Sequence, residues 1–158
     1  MGDRTSVQLT VLYEHSEKAL ALLKESYEEP EETNIQHDFF FMHFEDVNYG
    51  FIEGLDEFIK AGIPYSVEAG LGASYGESEE HLRYLEDGSF ELRKSEQDWP
   101  ENTISNCVKA IKEAQEKGTV DALAVLVSLL NAASTPSWDN QAVLSKQYLA
   151  TQLINPQQ

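Results

Sequence analysis

Four histidines (His15, His37, His43, His81), a single cysteine (Cys107) and the glycine-rich stretch "AGLGASYGESEEH" at 69–81 are the residues here whose chemistry could go beyond packing. A dinucleotide loop needs G-x-G-x-x-G between a strand and a helix, so that the backbone can approach a pyrophosphate at the helix N-terminus. Gly70, Gly72 and Gly76 instead give G-x-G-x-x-x-G, no lysine stands nearby, and Glu77, Glu79 and Glu80 follow at once. Phosphate would be repelled, and the glycines read as a bulge or a close backbone approach in a strand. His81 and Glu79 share a strand face and supply two metal ligands without a third. His37 and His43 also share a face, but an extended strand holds them about 20 Å apart, too far for one ion. "EEPEET" at 28–33 lacks the spaced ligands and turn glycine of a calcium loop. No H-E-x-x-H, C-x-x-C or nucleophile-elbow pattern occurs, so no catalytic residue, cofactor or metal ligand is assigned.

Cys107 sits on an apolar helical stripe and reads as a packed small hydrophobe. It cannot form an internal disulfide, and no basic start followed by an apolar core marks the first residues, so a reducing cytoplasm is expected. The 28 acidic residues against 11 basic ones give a net charge of −17, which argues against direct binding of nucleic acid or an anionic membrane. A basic protein surface is the complementary partner. Apolar residues make up 41% of the chain, enough to exclude a wholly disordered polymer despite that charge. The 158 residues suit one domain, with a sandwich over 1–98 and a helical extension over 99–158.

These side chains must be positioned by the elements around them. Val7, Leu9 and Val11 alternate with Gln8 and Thr10, predicting a half-buried strand. A helix follows from Ser16, with Ala19, Leu20 and Leu23 at helical spacing. Residues 28–36 hold a proline and one apolar residue and read as an acidic loop. "FFFMHF" at 39–44 is apolar at both parities, the pattern of a strand covered on both sides. A helix through Ile52, Leu55, Phe58 and Ile59, with Gly54 inside it, ends at a left-handed Gly62. A strand at Tyr65–Ala69 precedes a hairpin turning at "EDGS" (86–89). Helices are expected from Asn102 or Thr103, from Thr119 and from Ser137. The order β-α-β-α-β-β-β plus helices predicts an α+β, ferredoxin-like sandwich with an antiparallel or mixed sheet. Its C-terminal helices would cover the second sheet face.

"FEDVNYG" (44–50), "GLDEFIKAGIPY" (54–65) and "GASYGE" (72–77) together resemble a group of small phage- and plasmid-borne proteins of unassigned function. The resemblance spans roughly residues 39 to 85 and implies a mobile genetic element as context. It implies no activity. This chain departs from the pattern in its extra acids and longer helical tail.

Three functions follow as expectations. The first is a non-enzymatic module that inhibits a host nucleic-acid-binding defence complex by charge mimicry. Its contacts would be Glu28, Glu29, Glu31 and Glu32 in the loop, with Glu77, Glu79 and Glu80 beside the glycines. The second is a small-molecule-binding or catalytic domain with a pocket near Tyr65, Tyr75, His43 and His81. The third is an assembly subunit, homodimeric through Val120–Leu130 and Trp138.

Overall fold

Strand β1 (Arg4–Leu12) places Val7, Leu9 and Val11 on one face, each fully buried, as the alternation requires. The computed structural model describes residues 3–26, 28–73, 76–96 and 135–154, with isolated positions 108, 109, 111, 112 and 124. Two compact units divide the chain: Met1–Glu96 with Trp138–Gln158, and Gln97–Ser137. The helices expected between 102 and 134, and Cys107 with them, lie outside the described residues apart from those isolated positions.

In the first unit β1 leads through a 3-10 turn (Tyr13–His15) to α1 (Ser16–Glu25). Then come β2 (Glu32–Gln36), β3 (Phe39–Asn48), α2 (Leu55–Ala61), β4 (Tyr65–Ala69), β5 (Ser78–Tyr84), β6 (Phe90–Glu96) and α3 (Gln141–Ile154). The strands form one α+β sheet in the order β2-β3-β1-β4-β5-β6, and every neighbouring pair is antiparallel.

Strand β2 corrects the expected acidic loop. All five of its residues are exposed, so it carries no buried alternation. Its strand geometry comes from a hairpin with β3, turned at His37–Asp38 with His37 at φ 54°. Gly54 is a second correction: at φ 84° it precedes α2 rather than weakening its interior. Gly62 does stop α2, at φ 69°, with Ile63 donating its backbone N–H to the Phe58 carbonyl.

The first sheet face carries the core. Val7, Leu9 and Val11 meet Phe44, Met42 and Phe40 of β3 on one side, and Ala69, Val67 and Tyr65 of β4 on the other. Ala19 and Leu23 of α1 and Phe58 of α2 close over them, and each large apolar side chain so buried contributes about 1.5–3 kcal/mol. The helix α3 joins this same core: Tyr148 lies 4.6 Å from Tyr84, and a Cβ on Gly62 would stand 2.6 Å from Leu149. The expectation that the C-terminal helices cover the opposite face therefore fails for α3, whose apolar residues fit beside α2.

Of the opposite face, Phe39 and Phe41 are half-buried, and Phe39 packs edge-on against Trp138 at 5.2 Å. The second face of β3 is thus covered by Trp138 at Phe39, while Phe41 borders an open groove.

Gln141 fixes α3 to the sheet. Strand β4 begins at Tyr65, opposite Leu82, so Tyr84 has no β4 partner. The Gln141 side-chain amide takes that place, accepting from the Tyr84 N–H at 2.8 Å and donating to its carbonyl at 3.1 Å. Gln141→Leu leaves both buried groups unsatisfied and is expected to cost about 2–4 kcal/mol in urea denaturation. A loss within about 0.5 kcal/mol of zero, the range of neutral surface changes, would show that the clamp contributes nothing.

Candidate functional site

The seven expected contact glutamates do not form one surface. Strands β2 and β5 are four strand spacings apart, about 19 Å, which separates Glu32 from Glu79 and Glu80. Glu79 and Glu80 are consecutive on β5 and point to opposite faces. Glu79 reaches His81 on the second face, while Glu80 accepts from the Tyr65 hydroxyl and pairs with Lys94 at 2.6 Å on the first. Glu77 is exposed before β5, and Glu32 sits opposite His43.

The structure does unite Glu28, Glu29 and Glu31. They line a groove of about 270 Å³ with Glu45, Asp46 and Glu53, three acids that the sequence reading passed over. Glu31 accepts from the Glu45 N–H at 2.9 Å, and Glu28 accepts from the Glu53 N–H at 3.4 Å, so chain segments distant in sequence hold the carboxylates together. Among the described residues one ion pair reaches this groove, Arg4 to Asp46 at 3.9 Å, and it is exposed and weak.

Phe51 lines the same groove with 66% of its surface exposed. The turn that presents it holds Tyr49 at φ 55° and Gly50 at φ 66°, and just before it Asp46, at φ 57°, sits in the register break of β3 opposite Ser6. Such conformations persist only where the surroundings impose them. Here the Tyr49 N–H donates to the Asp3 carbonyl at 2.8 Å and the Phe51 N–H to the Asn48 carbonyl at 3.2 Å. The sequence signal for this site was the aromatic Phe51 directly after "VNYG", outside any apolar stripe.

A second polar arrangement lies on the opposite sheet face. Ser66 and His81 are cross-strand partners, and Arg83 follows two residues along the same face. The Arg83 Nη2 donates to Ser66 Oγ at 2.8 Å, and Ser66 Oγ lies 2.8 Å from His81 Nδ1. His81 Nε2 stands 3.2 Å from a Glu79 oxygen. Ser66 Oγ thus accepts from the guanidinium and also pairs with His81 Nδ1, while the other ring nitrogen faces Glu79. Arg83 Nη1 also donates to the Tyr65 carbonyl at 2.6 Å, and its guanidinium stacks 3.7 Å above the Trp138 ring.

This serine–histidine–carboxylate chain has the connectivity of an acyl-transfer triad. Its accessibility is different: Ser66 is 4% exposed, His81 3% and Arg83 3%, and the serine oxygen is engaged on both sides. It serves as internal support. Burial lowers the Arg83 pKa to about 10, and its hydrogen bonds to the Tyr65 and Leu82 carbonyls and to Ser66 Oγ, with the Trp138 face, counter part of that desolvation. The pairing of His81 with Glu79 was legible from strand parity, whereas no sequence pattern marked Ser66 and Arg83.

The pocket expected around Tyr65, Tyr75, His43 and His81 is not assembled by the described residues. Tyr65 is on the first face and His81 on the second, His43 is three strands from His81, and Tyr75 lies outside the described residues. His37 occupies the β2–β3 turn. His15 is partly buried at the start of α1, where desolvation lowers its pKa. Among the described residues no group of three or more potential ligands could hold a metal. No protein-family model, curated protein or solved structure matches the chain.

Burial, and then the Glu80 hydrogen bond, raise the Tyr65 phenol above its ordinary value of 10.0. Above pH 10 the unfolded chain releases this proton while the folded chain retains it. Its stabilisation is therefore complete below pH 10 and falls above it, by about 1.4 kcal/mol per pH unit. Urea denaturation between pH 9 and about 11.5 is expected to show this decline, with a shallower one in Tyr65→Phe. Equal slopes in the two proteins would contradict the assignment.

Proposed function

We propose that this chain is a ferredoxin-like, non-enzymatic acidic module that engages a basic surface of a partner protein. The proposed partner is a host nucleic-acid-binding defence complex, in the mobile-element context that the "VNYG" and "GIPY" resemblance implies. The fold part of this reading is supported by the connectivity β1-α1-β2-β3-α2-β4, a β-α-β-β-α-β run extended by β5, β6 and α3. The first strand of that run lies between β3 and β4.

The functional part rests on one observation: six carboxylates and an exposed phenylalanine share the Glu28–Glu53 groove. Carboxylates steer a basic partner and set the register, while a desolvated aromatic supplies the anchoring contact. Arginine suits both, because its guanidinium pairs with carboxylates and stacks on a ring. Glu77, Glu79 and Glu80 are left out of the contact set, Glu32 lies on β2 outside this groove, and Glu45, Asp46, Glu53 and Phe51 enter it.

The test is binding to basic nucleic-acid-binding proteins purified from host cells, at low and at high ionic strength. Wild-type binding is expected at low salt and should fade as salt rises. Glu28→Gln/Glu29→Gln/Glu31→Gln and Phe51→Ala should each weaken it by about tenfold or more, roughly 1.4 kcal/mol, with unchanged thermal stability. Absence of binding at low salt, or equal binding by the variants, would contradict the proposal.

A further inference from the structure

Strand β2 ends the sheet, and its outer edge is open among the described residues. In an edge strand, alternate N–H and C=O groups point away from the single neighbour and invite another strand. Proteins that avoid such pairing place charges, prolines or bulges along the edge. The opposite edge, β6, does so with Glu91, Arg93 and Lys94. Strand β2 does not. It reads "ETNIQ", pairs with β3 without a register break from Glu32 to Gln36, and carries its one charge at its first residue. All five residues are exposed, Ile35 by 53%.

Two features show what the edge would receive. Beside it on the second face lies a groove of about 490 Å³ lined by Gln8, Glu32, Asn34, Gln36, Phe41 and His43, with Thr33 at its margin. Alternate side chains of an added strand would stand beside Glu32, Asn34 and Gln36, at the outer rim of that groove. At the N-terminal end of β2 the chain runs directly into Glu31, Glu29 and Glu28 of the acidic groove.

We propose that β2 is a docking edge for an extended, lysine- or arginine-bearing segment of the partner. The segment adds as a seventh strand, and its basic end enters the acidic groove. This rests on the interaction reading above and specifies how the partner is held. Main-chain ladder bonds give affinity for the strand, and the carboxylates select its charge.

The probe is a blocked synthetic peptide, Lys-Lys-Thr-Val-Thr-Val-Thr-Lys-Lys, whose symmetry permits either strand direction. A second peptide of the same sequence carries N-methyl groups on two adjacent central residues, which removes a donor from each of its edges and keeps its charge. Binding to the full chain is followed by fluorescence anisotropy at low salt and by amide hydrogen exchange. The plain peptide is expected to slow exchange at alternate residues of Glu32–Gln36 and to bind at least about tenfold more tightly than the N-methylated one. Equal affinity for the two peptides, or unprotected β2 amides at saturation, would overturn strand addition. If Glu28→Gln/Glu29→Gln/Glu31→Gln still weakened binding in that case, the acidic groove would stand without it. If those substitutions left strand-protecting binding unchanged, the charge selection would fail instead. A dimer of the free chain that the peptide cannot displace would assign the edge to a second copy and also overturn the proposal.

Discussion

The position of β1 between β3 and β4 is the constraint on which the rest of the sheet depends. Its two faces are chemically unlike: Leu9 pairs with Met42 and Val67 on one face, Thr10 with Phe41 and Ser66 on the other. A slip of one residue on either side would bring Gln8 and Thr10 into the apolar core and turn Val7, Leu9 and Val11 out of it. The register is therefore held by burial, and every carboxylate is sorted by it. Glu80 is accommodated on the core-bearing face beside Leu55, Asp56 and Ile59 of α2, with Tyr65 and Lys94 to satisfy it. Glu68, paired with Gln8 on the second face, is exposed.

The second face handles its polar residues differently. The Arg83, Ser66, His81 and Glu79 side chains form one connected hydrogen-bonded chain, so buried groups that would each be costly alone are satisfied together. Trp138 covers the guanidinium and also meets Phe39, which joins the aromatic and polar halves of this face. Serine, histidine and carboxylate next to one another suggest chemistry, but engagement of the serine oxygen by arginine and its burial give them a supporting role. The proposed contacts lie elsewhere, along β2 and the turn that presents the exposed Phe51.

Elements whose side chains alternate or repeat against a core were legible in the sequence: β1, α1, β3, β4, the "EDGS" hairpin and the Gly62 stop all depend on local pattern. Strand β2 was not legible, because a strand held only by backbone pairing to a neighbour leaves no mark in hydrophobic periodicity. The location of α3 was equally hidden. Its contacts come from Gln141 meeting the Tyr84 backbone and Leu149 meeting Gly62, pairs with no sequence proximity. The acidic groove was half legible, since Glu28, Glu29 and Glu31 are adjacent in sequence whereas Glu45, Asp46 and Glu53 join them only through folding. Glu79 and Glu80 show the opposite error: neighbours in sequence, they are divided by the sheet.

A sheet organised around β1, with an open and lightly held β2, has a measurable consequence in native-state amide hydrogen exchange across all strands. The amides of β1 that pair with β3 and β4 should exchange only through global unfolding, while those of β2 should exchange through an opening of clearly lower free energy. Protection in β2 equal to that in β1, or local opening of β1 itself, would contradict the central role given to β1.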